Sequence, residues 1–158
     1  MASDRVWFVA ERFERLTELL MEFGYAIDPG PRDPNEWQEQ HVEDPPTGLV
    51  RLKAVRLGDP NDPESDFDPD ITFSVRELWS AERVDQATDE RGFYRIAYSY
   101  HAHSHGVDQR WDFDPLGHPD LAYHHHPPHA ASDDRGASDP TSPREALEAF
   151  ESWLARTR

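Results

Sequence analysis

Eight of the nine histidines of this chain lie between positions 101 and 129. They form three short blocks, His101-Ala-His103-Ser-His105, Gly117-His118-Pro119 and His124-His125-His126-Pro-Pro-His129. Imidazole is the side chain that exchanges a proton near neutral pH and binds a metal ion when it is neutral. This part of the chain is therefore where we expect chemistry, either proton transfer or metal binding.

The first block is predicted to close a β-strand and open a hairpin. Side chains alternate along residues 93–103, so Tyr98 and Tyr100 point to one face while His101 and His103 point to the other. His105-Gly106 suits a two-residue turn, because glycine adopts a positive φ at little cost. The turn predicts these cross-strand pairs: Tyr98 with Phe113, Ser99 with Asp112, Tyr100 with Trp111, His101 with Arg110, and His103 with Asp108. The aromatic rings and a His/Arg/Asp group are thus separated, and a slip of one residue would mix them.

The third block is predicted to extend the polar face. Residues 121–126 form a further strand in this scheme, and if Tyr123 joins the aromatic face, His124 and His126 join the polar one. His129 lies beyond two prolines, from where the chain could fold back over the same region.

Three interpretations of the polar face remain open. The candidate acid–base residues are His101, Arg110, Asp112, His124 and His126. Two imidazoles would act as general acid and base, Arg110 would bind a phosphate, and Asp112 would orient a histidine or pair with Arg110. Alternatively, His101, His103 and His126, with Asp112 as a further donor, hold a divalent transition metal such as zinc. In the third interpretation the face is only a solvated surface.

The remaining pattern predicts an α+β fold. It consists of an antiparallel β-meander of about five strands, with an N-terminal helix and a C-terminal helix packed on one face. The predicted elements are a helix at 4–23, a loop at 28–47, strands at 49–57, 71–79, 93–103, 109–114 and 121–126, a charged connection at 80–91, and a helix at 142–155. We expect a single domain over 1–158, in which 1–48 is an N-terminal helix-and-loop extension and 49–155 holds the sheet and the closing helix. Glu77 lies near the end of the predicted strand 71–79, where it could add a third carboxylate to the site, although a glutamate near a strand end is more often simply exposed.

Composition limits the possible partners. The formal net charge of −16 argues against general affinity for nucleic acids or anionic membranes, unless a local cationic patch overrides it. Lys53 is the only lysine, and this acid-rich, lysine-poor composition is typical of proteins from salt-rich cytoplasm, although a GC-rich genome produces a similar bias. The absence of cysteine excludes disulfides and Cys-based zinc sites. The chain carries no signal-peptide pattern and no long apolar run, so we expect a cytoplasmic protein with no membrane contact.

The order of motifs resembles the TumE family, toxin components of type II toxin–antitoxin modules. The resemblance covers roughly residues 70–155 and lies in a strand ending at Glu77, Tyr98-Ser-Tyr100-His101, Arg110-Trp111-Asp112, His118-Pro119, the block 123–129, and a C-terminal helix over 142–155. The chain departs from the family pattern at Phe113, where an asparagine is usual. It also has proline in place of a basic residue between the last histidines, and residues 1–48 have no counterpart.

The resemblance implies a growth-inhibiting toxin held inactive by a cognate antitoxin protein, with RNA as its target. The ribonuclease interpretation itself comes mainly from the His/Arg/Asp group. The alternative is a non-enzymatic protein whose histidines bind a metal ion or a partner.

Overall fold

The computed structural model describes residues 5–6, 9–27, 35–40, 46–58, 67–85, 90–117, 119–128, 136–137 and 140–157. Its helices are α1, Val9–Glu22, and α2, Pro143–Thr157. Its strands are β1, Arg5–Val6; β2, Tyr25–Ile27; β3, Glu36–Gln40; β4, Thr47–Arg56; β5, Asp68–Asp85; β6, Glu90–Ser104; β7, Val107–Phe113; β8, Tyr123–His126; and β9, Gly136–Ala137. In these ranges neither helix has the length and apolar character needed to cross a membrane.

All the strands belong to one antiparallel sheet. Seven of them follow the order β2-β4-β5-β6-β7-β8-β9, while β1 pairs with one end of β6 and β3 with one end of β4. From β4 to β9 each strand pairs with the next along the chain, which is a meander. The predicted α+β class is therefore confirmed, with more strands than the five or so expected.

The extra strands are the short ones, and they replace regions predicted otherwise. The predicted loop at 28–47 contains β3, and residues 80–85 and 90–91 of the predicted connection belong to β5 and β6. The N-terminal helix begins at Val9 rather than at residue 4, after the two-residue strand β1. Strands of two to five residues are too short to show a period, and in the mostly polar β3 backbone pairing with the long strand β4 outweighs composition.

The two faces of the sheet differ sharply. Both helices pack on one face, which we call the helix-covered face. Along β4 and β5, buried residues that point to this face alternate with more exposed residues that point to the other. The rings of this face include stacked pairs, Tyr98 with Tyr100 and Phe113 with Tyr123. The opposite face, which we call the polar face, includes Arg51, Lys53, Arg76, Ser99, His101, His103, Asp108, Arg110, Asp112, His124 and His126.

The hairpin register between β6 and β7 matches the predicted one at every pair. Tyr98 lies opposite Phe113, Ser99 opposite Asp112, Tyr100 opposite Trp111, His101 opposite Arg110, and His103 opposite Asp108. His105 and Gly106 form the turn with φ of 48° and 82°, as a type I′ turn requires. The prediction that His124 and His126 share the polar face with Asp112 is confirmed as well.

The predicted C-terminal helix is also confirmed. The Ser142 hydroxyl accepts a hydrogen bond from the Glu145 backbone N–H, while the Glu145 carboxylate accepts one from the Ser142 N–H, which is a capping box. Glu151 on α2 accepts hydrogen bonds from Tyr25 and from the buried guanidinium of Arg56. These bonds connect the C-terminal helix to β2 and β4.

Glu77 is the main exception to the apolar interior. Its side chain is fully buried in the middle of β5, so the expectation of an exposed strand-end residue is wrong. Arg12 from α1 donates from Nε at 2.7 Å and from Nη2 at 2.8 Å to its two carboxylate oxygens. Tyr100 and the indole of Trp79 also donate to it, and Arg95 lies 3.4 Å away. A buried carboxylate needs such partners, because desolvation of an unpaired charge costs several kcal/mol.

Protonation of Glu77 and folding are therefore linked. Burial raises the pKa of Glu77, but the hydrogen bonds and charge of Arg12, with those of Arg95 and Tyr100, outweigh burial and bring the pKa below its ordinary value of 4.5. A carboxyl whose pKa is lower in the folded chain stabilises the fold above its ordinary pKa, and this contribution is lost as the pH falls through the folded-state pKa.

We predict that Glu77→Gln lowers the free energy of unfolding by about 3–5 kcal/mol, because it leaves Arg12 and Arg95 facing an uncharged amide in the interior. Urea unfolding at pH 7 and at pH 4 measures this, and the gap between variant and wild type should narrow in acid. Glu22→Gln is the control, because Glu22 forms an exposed pair with Arg144 and its loss should change stability little. Equal effects of the two substitutions would contradict a structural role for the buried carboxylate.

Candidate active site

Four polar-face residues of β7 and β8 form one group, which we call the Asp112 cluster: Arg110, Asp112, His124 and His126. The antiparallel register sets Arg110 opposite His126 and Asp112 opposite His124. Residues two apart on a strand point to the same face, so the four side chains must meet above the same patch of sheet. The cluster consists of four of the five predicted acid–base residues.

One carboxylate oxygen is the common neighbour in this cluster. Asp112 Oδ2 accepts a hydrogen bond from Arg110 Nε at 2.8 Å. The same oxygen lies 3.1 Å from His124 Nε2 and 3.4 Å from His126 Nε2. Arg110 Nη2 is in turn 3.2 Å from His126 Nε2. The carboxylate thus binds the guanidinium and lies close to both imidazoles.

The shorter of these contacts favour one position for the proton on each imidazole. A guanidinium has only donors, so the bond from Arg110 Nη2 requires an unprotonated Nε2 on His126, whose proton then resides on Nδ1. A carboxylate only accepts, so the approach of His124 Nε2 to Asp112 is favourable when that nitrogen carries a proton. With these proton positions, His126 Nε2 accepts a bond from Arg110 and His124 Nε2 donates one to Asp112.

The cluster is largely buried but adjoins a pocket. Asp112 is 7%, His124 1% and His126 8% exposed. The pocket, of about 340 Å³, is lined by Arg110, Asp112 and His124 together with Arg76, Ser99 and Leu78. This volume is at the lower end of the range for small-molecule sites. Asp112 Oδ1 is buried and has no hydrogen-bond partner among the residues described, so this oxygen can still accept a bond.

His101, the fifth predicted residue, belongs to a neighbouring group with His103 and Asp108. His101 Nε2 and His103 Nδ1 each lie 2.8 Å from Asp108 Oδ1. Partial burial raises the pKa of Asp108, but the hydrogen bonds and charges of the two histidines outweigh it, so the pKa lies below its ordinary value and the carboxylate stays ionised. His101 lies opposite Arg110 across the β6–β7 pair, while its ring is turned toward the hairpin end.

The residues predicted as a metal set are divided between these two groups. His101 and His103 share Asp108, whereas His126 lies against Asp112 and His124. In the described parts of the chain, the groups with three donor atoms within 4.8 Å of one another are Asp112, His124 and His126, and Asp68, Asp70 and His105. The geometry of the alternative metal site is thus different from the predicted one.

The remaining histidines have other surroundings. His125 lies on the helix-covered face, stacked on Trp111, and burial lowers its pKa. His105 is in the turn, with Nε2 2.9 Å from Asp68. His118 and His129, including the proposed return of His129 over the site, lie outside the described residues.

Sequence reasoning missed the cations that lie on the same face beyond β6. Arg76 lines the pocket of the Asp112 cluster, and Arg51 is its partner on β4. The signal was present in the alternation of residues 71–77, in which Arg76 falls between the inward-pointing Val75 and Glu77. Placing Arg51 and Arg76 beside the site required the pairing of β4, β5 and β6, and the pattern within each strand does not specify that pairing.

We predict that His126 carries its proton on Nδ1 and that His124 has one on Nε2 in the free protein at neutral pH. Long-range ¹H–¹⁵N correlation spectra of the imidazoles distinguish these forms. Asp112→Asn should disturb both rings and lower the free energy of unfolding by about 1–3 kcal/mol, because a charge-assisted bond to Arg110 is lost. His125, which accepts a bond from Gln109 on the other face, should keep its spectrum in this variant and is the internal control. A proton on His126 Nε2 in the wild type would contradict the arrangement described.

Comparisons of the chain with models of protein families, with curated proteins and with solved structures gave no match. The geometry of the polar face is therefore the basis for inferring function. On this face two imidazoles and a guanidinium meet at a buried carboxylate beside a pocket.

Proposed function

We propose that the protein is a ribonuclease that cleaves RNA by metal-independent acid–base catalysis, and that it acts as the toxin of a toxin–antitoxin module. The observation that carries the enzymatic part is a cross-strand row, His101–Arg110–His126, on three adjacent strands. It sets the backbone of one histidine on each side of the Arg110 backbone. A phosphate bound by Arg110 would lie between the two rings.

This arrangement suits in-line displacement at phosphorus. The attacking and leaving oxygens lie on opposite sides of the phosphorus atom, so a general base and a general acid must approach from opposite sides. Two histidines next to each other on β8 would reach the phosphate from one side only. His101 on β6 and His126 on β8 reach it from both, with Arg110 on β7 between them.

In the proposed reaction, His126 is the general base. Binding of a phosphate draws Arg110 Nη2 away from His126 Nε2 and toward the phosphate oxygens, which frees the lone pair of that nitrogen. His126 then takes the proton of the 2′-hydroxyl as O2′ attacks phosphorus. His101, in its protonated form, gives a proton to O5′ as the P–O5′ bond breaks. The products are a 2′,3′-cyclic phosphate and a free 5′-hydroxyl. Arg110 stabilises the negative charge that develops on the phosphate oxygens in the transition state.

Two carboxylates position these groups without reacting. Asp112 binds Arg110 Nε and His124 on one side of the row. Asp108 binds His101 through Nε2, so in the proposed reaction Nδ1 is the nitrogen that gives the proton to O5′. Each carboxylate also offsets part of the positive charge of the row, so the rings stay ordered while the site is empty of substrate.

The toxin role is supported by the motif order that resembles TumE proteins. The motifs that carry this resemblance supply the residues of the proposed site: Tyr98-Ser-Tyr100-His101 supplies its histidine, Arg110-Trp111-Asp112 supplies the guanidinium and the orienting carboxylate, and the block 123–129 supplies His124 and His126. We propose that a cognate antitoxin protein binds the toxin and suppresses cleavage.

A second candidate is a metal centre formed by Asp112, His124 and His126. Their donor atoms lie within 4.8 Å of one another. The separations of 3.1 and 3.4 Å from Asp112 Oδ2 are near the ~3.3 Å edge of a tetrahedron with metal–ligand bonds of about 2.0–2.1 Å. Against it, the guanidinium of Arg110 contacts Asp112 Oδ2 and His126 Nε2, which are two of the three atoms a cation would use. We therefore favour acid–base catalysis.

We predict that the purified protein cleaves single-stranded RNA in the presence of EDTA and leaves 2′,3′-cyclic phosphate ends. His101→Ala and His126→Ala should each lower kcat/KM by about 10²–10⁴-fold, and Arg110→Ala by a similar factor, because each removes a group that acts in the transition state. His105→Asn is the matched control, since it removes an exposed imidazole from the same sheet and asparagine tolerates the positive φ of the turn. Loss of cleavage on chelation with recovery on adding zinc would instead support the metal centre.

Growth tests the toxin role separately. Induced expression of the wild-type chain should arrest bacterial growth, expression of the Arg110→Ala variant should not, and co-expression of the product of the adjacent gene should relieve the arrest. A wild-type chain that cleaves RNA in vitro but leaves growth unaffected would contradict the toxin role and leave the enzymatic one standing.

A further inference from the structure

A second polar surface adjoins the Asp112 cluster on the side of β4 and β5. We call it the cationic groove, and its lining includes Arg51, Lys53, Ser74, Arg76, Ser99 and His101. It holds three permanent cations and no carboxylate among the described residues that line it. In the whole chain, acidic residues outnumber basic ones 32 to 16, so this composition is opposite to the average surface. The only lysine of the protein is one of the three cations.

The cations face one another directly. Arg51 and Arg76 are cross-strand partners on β4 and β5, an arrangement that is destabilising for like charges. Arg51 has an exposed ion pair with Glu36 on its other side. Arg76 forms no ion pair with any of the described residues. An anion bound between the two guanidinium groups would relieve their repulsion.

The groove is continuous with the proposed active site. Arg76 and Ser99 line both the groove and the pocket that contains Arg110, Asp112 and His124. β5 and β7 are separated by β6 alone, so the backbones of Arg76 and of the Asp112 cluster lie about 10 Å apart. The long arginine side chains shorten that distance between the charged heads. One chain of phosphates could therefore contact both arginines at once.

We propose that the cationic groove binds the phosphate backbone of single-stranded RNA next to the cleavage position, an inference that rests on the proposed function and adds where its substrate is bound. A single strand can follow a groove across a sheet, with positive side chains along its backbone. The aromatic rings of β6, β7 and β8 that these contacts describe lie on the helix-covered face, so binding in the groove rests on charge rather than on base stacking. The groove should accept RNA of any sequence and weaken steeply with salt.

The test uses the full-length protein and 2′-O-methyl oligonucleotides of two and eight nucleotides, which bind but cannot be cleaved. Fluorescence anisotropy at several salt concentrations should show tighter binding of the octamer. Arg51→Gln and Arg76→Gln should each weaken octamer binding several-fold and reduce the slope of log K against log salt by about 0.7, one phosphate contact each. Glu36→Gln should strengthen binding, because it releases Arg51 from its ion pair. Arg15→Gln, the same charge change at an exposed position of α1, is the control and should leave affinity unaltered.

The outcomes separate this proposal from the proposed function. Octamer binding that depends on Arg51 and Arg76, in a protein that cleaves no RNA, would support the groove and overturn the ribonuclease. Cleavage with octamer binding that is equal in wild type, Arg51→Gln, Arg76→Gln and Arg15→Gln would overturn the groove and leave the ribonuclease. An acidic peptide that binds through both arginines while the octamer does not bind would also overturn the RNA assignment.

Discussion

The register of β6, β7 and β8 is the constraint on which the rest of the structure depends. Side chains alternate between faces with a period of two, so a slip of one residue would move Arg110 and Asp112 into the aromatic interior and Trp111 out of it. Both changes are costly, because one buries charges and the other exposes a large ring. The glycine in the turn and the stacked rings of the helix-covered face favour the same alignment. The polar face is therefore a consequence of how the interior packs.

Two buried carboxylates show how the same sheet uses charge in different ways. Glu77, on the helix-covered face, receives donors from a helix and from two strands, so its bonds join α1 to the sheet. Asp112, on the polar face, receives a guanidinium and imidazoles that can exchange protons, and one of its oxygens is still without a partner in the described structure. The first arrangement is closed and suits a structural role. The second is incomplete and adjoins a pocket, which suits chemistry on a bound molecule.

The polar face also resolves a conflict between charge and proposed substrate. A chain with a net charge of −16, in which acidic residues outnumber basic ones 32 to 16, repels RNA at long range. On the polar face, however, Arg51, Arg76 and Arg110 are gathered within three strand spacings of one another. Such a local concentration of cations would let a polyanion bind at short range, while the acidic remainder of the surface would keep non-specific contacts weak.

Much of this architecture was determined by the sequence itself. Alternation along residues 93–113, with a His-Gly turn, was enough to predict the hairpin register and the membership of each face, because hairpin geometry leaves few alignments open. The terminal helices and the α+β class followed from their periodicity. Short strands such as Glu36–Gln40 were missed, since four polar residues around the single Trp37 carry no readable period and pair only because β4 offers a free edge there.

The tertiary structure alone decided what surrounds each charged group. Glu77 was expected at the surface and lies in the interior, because the partner that makes its burial possible, Arg12, is 65 residues away on another element. His101 was predicted opposite Arg110, and the strand pairing confirms it. The ring of His101 nevertheless contacts Asp108. The side-chain rotamer and the neighbouring residues decide which partner the ring takes, and the sequence pattern does not contain that information. Local sequence specifies which way a side chain faces, whereas its partners depend on contacts between residues that are distant along the chain.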